Sequence, residues 1–86
     1  LKTISFVKHA LKKDKIIPVF QKIQKPNESY EALVRIEDNG KLISPFFFLD
    51  SIKDTRYYDS LTKTMINKVF KKFSKYNKNV SINLSF

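Results

Sequence analysis

Apolar residues recur at Ile4, Val7 and Leu11 with Ala10 beside them, a helical spacing that predicts a short amphipathic helix over residues 3–13. Lys8, Lys12 and Lys13 fall on its wet side. Residues 16–23 read as a strand, with Ile17, Val19, Gln21 and Ile23 on one face. Pro18 places that strand at a sheet edge or the segment at a strand start, because proline cannot donate to a ladder. Lys25-Pro26-Asn27-Glu28 carries turn chemistry, and Tyr30 to Ile36 forms the next strand. So short a connection permits only an antiparallel hairpin, since a parallel crossover needs about a dozen residues or more.

Asp38-Asn39-Gly40 is a second turn signal. Ser44-Pro45 has the form of an N-cap followed by proline at the first helical position, and predicts a short helix reaching about Ile52. After the break at Asp54-Thr55 a long helix is expected over 56–76. Its apolar stripe is Tyr58, Leu61, Met65, Val69 and Phe73, widened by Ile66 and Phe70, with Lys63, Lys68, Lys71, Lys72 and Lys75 mostly on the other side. Asn77-Lys78-Asn79 ends it. Residues 80–86 alternate Val80, Ile82 and Leu84 with Ser81, Asn83 and Ser85, a strand with one apolar and one polar face. The long helical connection permits this strand to lie parallel to the second.

Composition narrows the class. A chain of 86 residues holds one small domain and excludes a complete α/β barrel. With 42% hydrophobic residues and a single glycine it is built to fold rather than to remain disordered. The absence of cysteine excludes disulfides and thiolate metal sites. No run of apolar residues reaches the length of a membrane span, and the first residues lack a signal-peptide pattern. A chain that begins on Leu1 is expected to be cut from something longer.

The net charge of +9 suggests a polyanionic partner, yet fifteen of the seventeen basic residues are Lys, which more often solvates surfaces. An aromatic stacking sheet, a Gly-rich clamp and an Arg-rich recognition helix are all missing, so DNA or RNA binding is not expected.

Candidate chemistry gathers on two strands. Glu31, Leu33 and Arg35 share one face of the second strand, and Asn83 lies on the polar face of the last. The Glu31–Arg35 spacing fits a same-face salt bridge or a solvated sheet face; it also fits a metal-binding carboxylate beside a phosphate clamp. Asn83 fits either a strand-end residue or an amide oxygen ligand to a hard cation. Carboxylate and amide oxygens suit Mg²⁺, Mn²⁺ or Ca²⁺, although two of them fill only part of an octahedral shell. His9, on the first helix, reads as a surface residue.

Gln21, the run Tyr30-Glu31-Ala32-Leu33-Val34-Arg35, Ile43-Ser44-Pro45 with Phe48-Leu49, and Val80-Ser81-Ile82-Asn83-Leu84-Ser85 occur in the order found in the EAL domain. The chain therefore resembles the bacterial phosphodiesterases that cleave cyclic di-GMP to the linear dinucleotide. The resemblance spans essentially all 86 residues and about the first third of that domain. It implies an α/β architecture, a partial (β/α)₈ TIM-like barrel whose first strand is antiparallel, with residues 1–86 as a truncated N-terminal part of a single EAL domain. It implies that Glu31 and Asn83 ligate a catalytic Mg²⁺ or Mn²⁺, that Arg35 contacts a phosphate, and that Gln21 and Leu33 help to form the pocket for cyclic di-GMP. The family commonly has Gln-Pro-Ile where this chain has Gln21-Lys22-Ile23. The later acidic ligands of the family have no counterpart here, so the 86-residue chain is expected to be inactive by itself, with no complete catalytic set.

The expected function is part of a cytoplasmic, metal-dependent cyclic di-GMP phosphodiesterase; the alternative is a catalytically degenerate EAL module that senses cyclic di-GMP or binds a protein, and a basic nucleic-acid binder is the least favoured reading. Self-association through the last strand or the Phe-rich helices is also expected.

Overall fold

A computed structural model describes residues 2–24, 28–76 and 78–85. The chain order is α1 (Lys2–Lys12), β1 (Ile16–Gln24), β2 (Glu28–Asp38), β3 (Lys41–Ile43), a 3₁₀ turn (Pro45–Phe47), α2 (Leu49–Ile52), α3 (Arg56–Phe73) and β4 (Asn79–Asn83). The turn expected at Lys25-Pro26-Asn27-Glu28 lies mostly outside the described residues.

β2 is the centre of the sheet. β1 pairs with it antiparallel from Ile16↔Ile36 to Gln24↔Glu28, as the short connection requires. Its other edge is shared: β4 runs parallel to Ser29–Leu33, and β3 runs antiparallel to Ile36–Asp38. Val34 and Arg35 therefore lie in a gap between two partners. Lys15 accepts a backbone hydrogen bond from the Glu37 N–H at 2.9 Å, which sets the alternation. The odd positions of β2 point their backbone groups at β1, and the even positions point theirs the other way. By the same alternation the nitrogen of Pro18, opposite Val34, faces outward from the sheet edge, where the missing N–H breaks no ladder bond.

Period-two alternation gives the sheet two different faces. Ala32, Val34 and Ile36 of β2 and Ile16 of β1 are buried on one face. Val7 and Ala10 of α1, Leu61, Met65 and Val69 of α3, and Phe48, Leu49 and Ile52 complete that core. Phe20, Val80, Ile82 and Leu84 pack at its margin, and Phe20 meets Phe73 edge-on with ring centroids 4.9 Å apart. Ile17, Val19 and Gln21 share the other face, as the alternation predicts, and Ile17 and Val19 lie outside the core cluster.

Helix ends follow local chemistry. α1 closes with the Lys15 N–H on Ala10 O at 2.8 Å, the long bond of a Schellman motif, with Asp14 at φ 58° in the position usually given to glycine. Lys68 secures this strained turn: its ammonium lies 2.7 Å from Asp14 Oδ1 and also donates to the Ile16 carbonyl. Lys68 is therefore a partly buried structural residue rather than one of the outer lysines of α3. Thr55 caps α3, its hydroxyl accepting from the Tyr57 N–H at 3.2 Å.

Four details differ from the sequence reading. β3 is a strand of three residues, too short for alternation to reveal; Asn39 at φ 51° and Gly40 at φ 81° form the two-residue hairpin turn that creates it. The helix expected after Ser44 is split at Phe48, whose φ of −138° breaks the 3₁₀ turn from α2. α3 stops at Phe73 rather than Tyr76, with the Tyr76 N–H bonding to Phe73 O in a tightened final turn. β4 stops at Asn83, short of the expected Phe86.

Ile66 and Phe70, expected to widen the buried stripe, are 49% and 71% exposed. They border a hollow of about 310 Å³ with Val80 and Ile82 beside β4. Among the described residues β4 pairs only with β2, so its other edge is unpaired. Also among the described residues, no helix is long and apolar enough to cross a membrane.

Candidate functional site

The face of the sheet turned away from the core carries all five residues singled out in the sequence. Cross-strand register sets Gln21 of β1 opposite Glu31, Val19 opposite Leu33, and Ile17 opposite Arg35. On the other side Ser81 is opposite Glu31 and Asn83 opposite Leu33. Gln21 is exposed, and Glu31, Leu33, Arg35 and Asn83 are half-buried. His9 is exposed on α1, apart from this group.

Glu31 and Asn83 are joined. Asn83 Nδ2 donates to Glu31 Oε2 at 2.9 Å across the parallel β2–β4 pair, linking residues 52 apart in sequence. The carbonyl end of the same carboxamide accepts twice from Ser85, from its N–H at 2.8 Å and from its hydroxyl at 2.5 Å. These bonds form an Asx turn where β4 ends. Every polar atom of the Asn83 side chain is thereby engaged.

Arg35 makes no ion pair with Glu31. Its Nη1 instead donates to the Val34 carbonyl at 2.7 Å. That carbonyl points into the gap between β3 and β4, where no strand supplies a donor, so the guanidinium fills the missing ladder bond. The side chain is held in place while the rest of its five-donor fork stays free of carboxylates. Around it opens a cleft of about 350 Å³ lined by Leu33, Arg35, Ser44, Pro45, Asn83 and Ser85. Leu33 forms an apolar wall, and the hydroxyls and guanidinium supply polar contacts. Ser44 also caps the 3₁₀ turn, its Oγ accepting from the Phe46 N–H at 3.2 Å.

In chemistry a carboxylate and an amide oxygen from adjacent strands suit a hard cation, while here the Asn83 oxygen faces Ser85 and its NH₂ faces Glu31. These two residues would supply part of a coordination shell. Among the described residues no group of three or more His, Cys, Asp or Glu gathers.

Sequence reasoning missed Ser44, Pro45 and Ser85 as cleft residues. Ser44-Pro45 read as a helix start and Ser85 as one member of a polar strand face. Only the shared use of one β2 edge by β3 and β4 brings them together around Arg35.

The family profile of the EAL domain matches residues 6–86. The solved EAL domain of FimX from Pseudomonas aeruginosa bound to c-di-GMP has a similar fold, with a TM-score of 0.82 at 22% identity. The match covers 96% of this chain and 36% of that one, so the chain spans about a third of the solved domain. No curated protein matches the chain. With the antiparallel β1–β2 hairpin, the parallel β4 and a family match along nearly all of its length, the chain belongs to the EAL domain family, in which it forms part of the barrel.

Proposed function

We propose that the open sheet face recognises cyclic di-GMP, and that the domain to which residues 1–86 contribute hydrolyses it to the linear dinucleotide. The supporting observation is the joined Glu31–Asn83 pair beside a cleft into which the tethered Arg35 projects.

Each residue has a role its chemistry allows. Arg35, preoriented by the Val34 carbonyl, offers its remaining N–H groups to a phosphodiester, the planar pairing guanidinium makes best. Leu33 and Pro45 supply apolar surface for a base, and Gln21, exposed opposite Glu31, supplies an amide that can bond a base or ribose edge. Glu31 and Asn83 would hold Mg²⁺ or Mn²⁺. A divalent cation bound there would activate water and neutralise charge on the phosphate. The described residues hold too few acidic groups to complete such a shell, so the 86-residue chain should bind without turnover.

Calorimetric titration of the chain with cyclic di-GMP in Mg²⁺ tests this reading. We expect binding that Arg35→Ala weakens about 10- to 100-fold, the range for a lost hydrogen bond to a charged group. Wild-type and Arg35→Ala chains of equal affinity would overturn the recognition role. Metal-dependent hydrolysis by the chain alone would overturn the claim that it lacks a full set. A domain that binds cyclic di-GMP with Glu31 intact yet never cleaves it would support the receptor reading instead.

A further inference from the structure

Asn39 is the one asparagine of the chain that is followed by glycine. An asparagine side chain closes most easily onto the backbone when the next residue is glycine, which has no Cβ to hinder the ring. Both residues are exposed at the tip of the β2–β3 hairpin. The nucleophile of that closure, the Gly40 nitrogen, is engaged. Its N–H donates to Glu37 Oε2 at 2.9 Å, while Oε1 of the same carboxylate lies 2.8 Å from Lys15 Nζ. Closure requires the nitrogen to lose its proton. A carboxylate that accepts the N–H bond stabilises the protonated nitrogen and repels the anion that deprotonation would leave.

We propose that Asn39-Gly40 is a site of spontaneous covalent modification held back by the Glu37 carboxylate, and that its conversion to isoaspartate detaches β3 together with the Ser44–Pro45 wall of the cleft. The Gly40 nitrogen, its proton given to solvent base, bonds to Asn39 Cγ; the Cγ–Nδ2 bond breaks, and ammonia leaves behind a succinimide. Water then opens the ring at either carbonyl, giving aspartate or isoaspartate. Isoaspartate routes the main chain through the former side chain and lengthens a two-residue turn by one methylene. The hairpin closed by that turn is held by three residue pairs, Ile36↔Ile43, Glu37↔Leu42 and Asp38↔Lys41, and has little to oppose the change. Ser44 and Pro45 follow β3 directly and line the cleft beside Arg35. This chemistry is independent of what the cleft binds.

The test is ageing of the full chain in mildly alkaline buffer, with conversion of Asn39 counted by mass spectrometry of its peptides. In the wild-type chain conversion should be severalfold slower in buffer than in urea, and equal rates overturn the proposal whatever the variants do. Glu37→Ala should convert about 2- to 10-fold faster than wild type, the worth of one hydrogen bond. Lys15→Ala removes the ion pair, leaves the Gly40 bond, and should stay within about twofold of wild type. An unchanged rate in Glu37→Ala overturns the proposal. Equal acceleration in both variants overturns it too, because it would trace the effect to a loosened hairpin rather than to the held nitrogen. Hydrogen exchange on the isoaspartyl chain, separated by ion-exchange chromatography, reads the second step. The Lys41 and Ile43 amides, opposite Asp38 and Ile36, should lose their protection, and retained protection overturns the detachment of β3.

Discussion

The two faces of the sheet are made from the same strands by alternate residues, yet they do different work. On β2, Ala32, Val34 and Ile36 are at most 1% exposed against α1 and α3, while Glu31, Leu33 and Arg35, one position away, stay half-buried on the other side. The first face is apolar; the second holds the Glu31 carboxylate bonded to the Asn83 carboxamide, and separately the Arg35 guanidinium bonded to the Val34 carbonyl. Separating stability from chemistry by a single pleat means that changes on one face should leave the other largely untouched, and this separation can be tested.

The largest expected effect comes from the covered face. Leu61, fully buried on α3, should cost about 2–5 kcal/mol when cut to alanine, the range for a large-to-small core change. Small domains have total stabilities near the low end of about 5–15 kcal/mol, so this change should unfold a substantial share of the chain. Urea denaturation followed by circular dichroism measures it. A loss below about 1 kcal/mol would mean that the covered face is not the folding core.

On the open face the effect should fall on binding. Arg35→Ala removes the donor that fills the gap between β3 and β4, so we expect a stability loss of only about 0.5–1.5 kcal/mol beside the 10- to 100-fold loss of nucleotide affinity. Arg35→Lys keeps a charge and a donor for Val34 O but loses the planar fork, and should recover stability better than affinity. Urea midpoints and calorimetry on the same three chains decide this. Parallel losses of stability and affinity would break the separation of the faces.

A smaller effect is expected at the margin between the faces, where Ile66 and Phe70 are exposed beside the unpaired edge of β4. An open edge flanked by apolar side chains favours strand pairing with a second copy, opposed by the net charge of +9. We propose that the chain self-associates there, more strongly as salt screens the lysines. Sedimentation equilibrium should show a concentration-dependent mass that Phe70→Ser reduces severalfold. A monomer at every salt and concentration would exclude this edge as an interface.

How legible each face was follows from how local its signals are. The helices and β1, β2 and β4 could be read because their apolar residues repeat within one element, and Leu61, Met65 and Val69 were placed correctly on that ground. The hairpin followed from connection length alone. Which side of β1 meets the core was not legible, because Ile16 and Phe20 compete with Ile17 and Val19 on nearly equal terms; only packing against Phe73 and the helices decides it. Glu31, Arg35 and Asn83 were singled out through motif order. Spacing alone left a salt bridge open, and the structure removes it by turning Arg35 to Val34 O. Ser44 and Ser85 stayed hidden because their meeting depends on two strands sharing one edge, a relation across some forty residues that no local pattern encodes.

The smallest predicted effect is the pH dependence of the ion pairs, one associated with each face. Glu37 continues the open-face positions of β2; its carboxylate lies 2.8 Å from Lys15 Nζ and accepts from the Gly40 N–H at 2.9 Å. The hydrogen bond from Lys15, then that from Gly40, holds the Glu37 carboxyl below its usual range. Asp14, where α1 meets β1, is likewise lowered by its hydrogen bond and charge pairing with Lys68. A carboxyl whose folded pKa is depressed binds protons more readily in the unfolded chain. Its contribution is therefore complete above the unfolded value of about 4 and is lost as pH falls through the lower folded value. Asp14 is exposed and Glu37 is only half-buried, so each contribution is small and should shrink in salt. Thermal melts from pH 7 to pH 2 should show a decline in Tm that begins near pH 4 and is shallower in Glu37→Gln and in Asp14→Asn. Because Asp14 also occupies a left-handed turn, Asp14→Asn keeps that conformation accessible and isolates the charge. If Glu37→Gln leaves the acid slope unchanged while Asp14→Asn flattens it, the ion pair of the covered face alone carries the pH dependence, and the division between the faces extends to their electrostatics.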